Sequence, residues 1–162
     1  MNLRKPYITI AHVIIEIVSL VIIILTLLFS IYSIKNISGP VPTHYDFSGN
    51  VTGYGSPKTL IVMPLIMLGC NLLVAAAVHL FPKKYWNLPV KVKPHTSNRV
   101  YKDTVWMMVL IELEISIYTA IFTAITCRGS EHGIFAASMI WAAVLFITIG
   151  VIWAMMVKHN RG

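Results

Sequence analysis

The chain has 162 residues, of which 57% are hydrophobic and 12% charged, with a formal net charge of +7 and a mean hydropathy of +0.75. A soluble domain of this length has too little interior to hide so much apolar surface, so lipid must be the solvent for most of it. The signatures of soluble enzymes are missing too: the sequence holds no phosphate loop, no G-x-S-x-G and no C-x-x-C pair.

Four apolar runs, at 8–34, 60–81, 104–126 and 134–157, are each long enough to cross a hydrocarbon core. They predict an all-α, polytopic membrane protein. Its single domain is a bundle of four transmembrane helices, with an ordered extracellular loop at 35–59 and a basic inner loop at 82–103. The first run follows Arg4 and Lys5, as a signal peptide would. It is too long for an h-region, it carries His12 and Glu16, and no small-residue cleavage site follows. It is read as a retained helix.

Basic residues set the orientation. Arg4, Lys5, Lys83, Lys84, Lys91, Lys93, Arg99, Lys102, Lys158 and Arg161 precede the first run, separate the second from the third, or follow the fourth. Only Lys35, Lys58 and Arg128 fall on the opposite side. This bias places both termini and the 82–103 loop in the cytoplasm. The cationic loop is then a topology signal that meets anionic headgroups, and nucleic acid is not an expected partner.

The first run carries a polar stripe, His12, Glu16, Ser19, Thr26, Ser30 and Ser33, with Ile23 filling its gap. Steps of four and three keep these residues on one helical face. The third run repeats the pattern with Glu112, Ser116, Thr119, Thr123 and Thr126, and the second offers Asn71, Ala75 and His79. The hydroxyls predict close helix packing with hydrogen bonds across the seam. In the second run Pro64 lies one turn from the start, where a proline is tolerated. Cys127 sits at a helix end and Cys70 about 15 Å deeper at helical rise, too far apart to bridge.

The carboxylates need more than packing to explain them, because an acid near mid-bilayer costs roughly 2.5–3.5 kcal/mol. Glu16 and Glu112 both lie about 12 Å from the inner boundary at helical rise. With His12, Asn71 and His79 they form a predicted intramembrane polar cluster. Three explanations stay open. The acids are held neutral as structural glue, they line a cavity for protons or a cationic ligand, or they join the histidines around a metal. His12, Glu16, His79 and Glu112 are the candidate ligands in that last case, with zinc the ion of choice; otherwise no cofactor is expected. Glu114, two positions from Glu112, points toward the fourth helix or toward a second copy in a homo-oligomer.

The outer loop reads "GPVPTHYDFSGNVTGYGSPKTL" from Gly39. Pro40 and Pro42 favour extended backbone, which turns His44 and Asp46 the same way and Tyr45 opposite. Gly49, Gly53 and Gly55 supply turns, and so long a connection is uncommon unless it is ordered for function. This stretch resembles the outer-loop signature of the bacterial SdpI-like immunity proteins and their associated domain of unknown function. Pro42, His44, Tyr45, Asp46 and Gly49 match the first half of that signature. Gly53, Tyr54, Gly55, Ser56 and Lys58 match the second, with Pro57 inserted and Val51-Thr52 replacing a usual Pro-Asp.

The resemblance implies a bacterial cell membrane protein that protects its own cell against a secreted toxin peptide. On that reading the chain is a non-enzymatic immunity or receptor-like protein. It takes an extracellular peptide or lipid-like ligand on Pro42, His44, Tyr45, Asp46, Gly49, Gly53, Tyr54, Gly55 and Lys58, and its basic loop engages a cytoplasmic regulator. The alternatives are proton- or cation-coupled transport through Glu16 and Glu112, and a metal-dependent membrane-embedded enzyme.

Overall fold

The computed structural model describes residues 5–129 and 133–161. Arg4 of the basic tail, and Ser130, Glu131 and His132 of the last turn, lie outside the described residues. Four long helices carry the chain: α1 (Ile10–Asn36), α2 (Val62–His79), α3 (Ser97–Cys127) and α4 (Ile134–Arg161). Each is part of a span long and apolar enough to cross a membrane.

α3 is the axis. α1 and α4 pack along it, and α2 lies against both α1 and α3. The stripes predicted for the first and third runs are the buried faces: His12, Ser19, Ile23, Thr26, Ser30 and Ser33 on α1, and Glu112, Ser116, Thr119, Thr123 and Thr126 on α3. Outward faces stay apolar, as on α4, where Ile140, Phe146 and Ile147 are exposed.

The seam hydroxyls do not bond across it as expected. Ser19, Thr26 and Ser30 donate to the carbonyls of Ile15, Ile22 and Thr26, and Thr119 donates to that of Ile115. In a dry seam the nearest acceptor is the helix's own carbonyl one turn back. What small residues contribute here is close approach of the backbones. Ser116 is an exception, reaching Asn71 Oδ1 at 3.4 Å as well as its own helix.

Two helices outrun their apolar runs at the basic end. α3 begins at Ser97 rather than 104, so Ser97–Asp103 is helix and not loop, and α4 continues to Arg161 rather than 157. Hydropathy falls where charges begin, but the backbone ladder continues, and the two extensions hold each other. His159 Nδ1 lies 2.7 Å from Asp103 Oδ2, and Thr104 Oγ1 donates to Met156 Sδ. Asn160 accepts from Lys93 N–H and Thr96 Oγ1 and donates to the Lys91 carbonyl, tying the basic loop to α4. Lys5 Nζ donates to the carbonyls of Val78 and Phe81, filling acceptors that the end of α2 leaves open.

The extended backbone expected after Pro40 is present at residues 41–45, as one strand of a pair. The connection between α1 and α2 is an antiparallel hairpin of β1 (Val41–Tyr45) and β2 (Val51–Gly55), which adds a two-stranded sheet to the helical architecture. Irregularities on either side of His44 leave Thr43 and Thr52 out of the paired register. Asp46 closes the turn: Oδ1 accepts the N–H groups of Ser48 and Asn50 at 2.9 and 2.8 Å, and Oδ2 accepts from the Asn50 side chain. Ser56 then caps a 3₁₀ turn, Pro57–Ile61, that feeds α2, and Pro64 sits within the first turn of that helix. Cys70 and Cys127 are free.

Candidate functional site

The hairpin is docked on its end of the bundle at several points. The Tyr45 hydroxyl lies 3.4 Å from Thr126 Oγ1, and its ring meets Phe122 edge-on at 5.8 Å. Gly49 has φ 86° and approaches the start of α4 so closely that an added Cβ would lie 2.9 Å from Phe135 Cβ. Phe47, beside it, meets the Phe135 ring at 6.4 Å while remaining 91% exposed. Val41 and Leu60 are buried under the hairpin base.

Most of the predicted loop residues therefore build the platform. Asp46 and Gly49 form the turn, Tyr45 anchors it, and Gly55 admits Thr43, whose Cγ2 would lie 2.7 Å from a Cβ at that position. Gly53 pairs with His44, and Tyr54 with Pro42. Lys58 lies in the 3₁₀ turn, its N–H directed at Ser56 Oγ. His44 and Asp46 serve different ends: the imidazole Nδ1 is 2.5 Å from Thr52 Oγ1 on the exposed side, whereas the carboxylate faces the turn backbone. The Asn50 side-chain bond, aided by backbone N–H groups, holds the Asp46 carboxyl below its ordinary value of 3.8.

A cleft of about 440 Å³ opens between β1, the start of α2 and the adjoining part of α3. Pro42, Thr43, Leu60, Met63, Phe122 and Thr126 are among its walls. Of the nine loop residues singled out from sequence, only Pro42 lines it. Such a surface, apolar with a few hydroxyls and two adaptable methionines (Met63 and Met67), accepts an apolar chain. Phe47 and Thr43 carried no sequence signal beyond their place in the loop.

The intramembrane residues divide differently from the expectation. His79 Nε2 lies 2.7 Å from Glu16 Oε2, joining α2 to α1. Glu16, Asn71 and Glu112 share a small cavity of about 100 Å³. His12 is held apart from it. Its Nδ1 accepts the Thr9 N–H at 3.0 Å, closing a capping box with histidine where glutamate is usual, and its ring packs edge-on to Trp106 at 4.4 Å. Spacing placed His12 and Glu16 on one face but could not show that the helix start would claim the imidazole. Among the described residues no three His, Cys, Asp or Glu side chains gather as a metal-ligand group. Glu114, left open between two directions, faces α4, where Thr148 Oγ1 donates to its Oε1.

Residues 21–68 match the family model described as Domain of unknown function (DUF1648). The matched stretch runs from within α1 through the hairpin into the first turns of α2, so it covers the whole docked platform. Comparison with curated proteins and with solved structures gave no match.

Proposed function

We propose that this chain is a non-enzymatic, receptor-like protein of a bacterial cell membrane, of the immunity type its loop resembles. Both termini are cytoplasmic, and the hairpin faces outward to receive a peptide or lipid-like ligand. The observation that carries the reading is the docked hairpin: an exposed element held by its own turn and by α3 and α4, with an apolar cleft at its base. A surface ordered before binding loses little entropy on binding, which is what recognition requires of it. Phe47 and the His44–Thr52 pair form the exposed face, and the cleft takes the ligand's apolar part. The basic bias at the opposite end supports this orientation, and the match to DUF1648 covers the hairpin that would do the receiving. A regulator that reads the basic loop fits that arrangement.

The test is protection. Sensitive cells expressing the chain are challenged with culture supernatant of the source organism. Wild type should raise survival, and His44→Ala and Phe47→Ala should each lose on the order of tenfold or more of that effect, as removal of a binding anchor does. Glu112→Gln, placed far from the hairpin, should protect like wild type at equal membrane abundance. Protection that survives both hairpin substitutions, or that needs Glu112, contradicts the proposal.

A further inference from the structure

The polar cavity between α1, α2 and α3 stands apart from the hairpin. Glu112 is 4% exposed and lines the cavity, and its Oε2 is buried with no hydrogen-bond partner among the described residues. Glu16 Oε1 is in the same condition, while Glu16 Oε2 holds His79. Ile17 and Leu72, both more than half exposed, flank the wall that faces lipid, so the lateral side is apolar. The polar way out runs along the Glu16–His79 pair. His79 has 38% of its side chain exposed and lines a larger cleft of about 550 Å³ shared with Lys5 and Thr9 at the basic end.

Two buried carboxyl oxygens without donors, on acids that line one cavity, are costly unless something donates to them. We infer that the cavity is a proton-binding site: Glu112 carries the proton, and His79 with Glu16 is the port through which it comes from the basic end. The cavity, about 100 Å³, is large enough to admit water between the two acids. The transfer balances simply. Bulk buffer protonates His79 at Nδ1, the Nε2 proton passes to Glu16 Oε2, and a proton leaves Glu16 through cavity water to Glu112 Oε2. His79 returns to neutrality, and one proton has moved inward.

Among the described residues, the charged and titratable groups around the route are few. α1 contributes Glu16 and the separately held His12, α2 contributes His79, α3 contributes Glu112, and Lys5 stands at the mouth. Glu114 lies on the α4 side, away from this cavity, with one oxygen bonded to Thr148. Its other oxygen is likewise buried without a partner among the described residues, and it serves as a control for an acid outside the route.

Infrared difference spectroscopy on the full chain in phosphatidylethanolamine–phosphatidylglycerol vesicles reads the proton directly. After a pH step, a carbonyl band of a protonated carboxyl should change in wild type and in Glu114→Gln, and be missing in Glu112→Gln. His79→Ala should reach the same final band but approach it on the order of tenfold or more slowly, as loss of a positioned proton carrier requires. Should Glu112→Gln fail to fold, Glu112→Asp keeps the acid on a shorter stem and must still titrate, at a displaced band position. A band that ignores pH, persists without Glu112, forms at the wild-type rate in His79→Ala, or is removed by sodium at fixed pH overturns the inference.

Discussion

At the scale of single residues, Asp46 is where the hairpin's order is concentrated. One carboxylate satisfies two backbone donors and one side-chain amide, and those bonds favour its ionised form. Because its folded value lies below the ordinary 3.8, its contribution is complete above that pH and is lost as pH falls through the folded value. Hydrogen exchange at the Ser48 and Asn50 amides should therefore show protection near neutrality that decays in acid. Asp46→Asn, which keeps one acceptor but cannot ionise, should start with less protection and show no acid step. Parallel acid loss in both proteins would contradict this assignment. The importance of the residue was legible in "HYDFSGN", but its task was not. Sequence spacing offered a ligand-facing acid, whereas turn formation claims both of its oxygens. His12 follows the same logic: an N-cap one turn away outcompetes a partner on the same helical face.

At the scale of elements, what sequence revealed depended on which solvent imposed the pattern. Lipid demands long apolar runs and a helical period for the few polar groups that hide from it, so four helices and the buried stripes of α1 and α3 could be read directly. Strands β1 and β2 could not, because they are five residues each, rich in Pro and Gly, and paired through an irregular register. The helix extensions were hidden for another reason: charge ends an apolar run without ending a helix. There Asn160 makes three bonds to the 91–96 segment. Asn160→Ala should lower stability by about 1–3 kcal/mol and speed proteolysis within that segment, since each net bond is worth about a kilocalorie. Unchanged cleavage would mean that the basic loop is held by other contacts, such as Lys83 Nζ on Ser97 Oγ.

At the scale of the whole molecule, the chain has two ends with different character and a polar interior between them. One end is a glycine- and proline-shaped hairpin fixed to α3 and α4, with an apolar cleft at its base. The other gathers basic residues over interlocked helix ends. Recognition at the first end and proton entry at the second are separate proposals, and variants in one should leave the other intact. Both depend on how the molecule is set in its membrane. In the proposed orientation the hairpin meets the outside, and thiol labelling in whole cells reports which side it is on. With Cys70 and Cys127 replaced by serine, a membrane-impermeant maleimide should label Ser48→Cys in intact cells and Lys84→Cys only after permeabilisation. Labelling in the opposite order would put the hairpin in the cytoplasm and contradict the account.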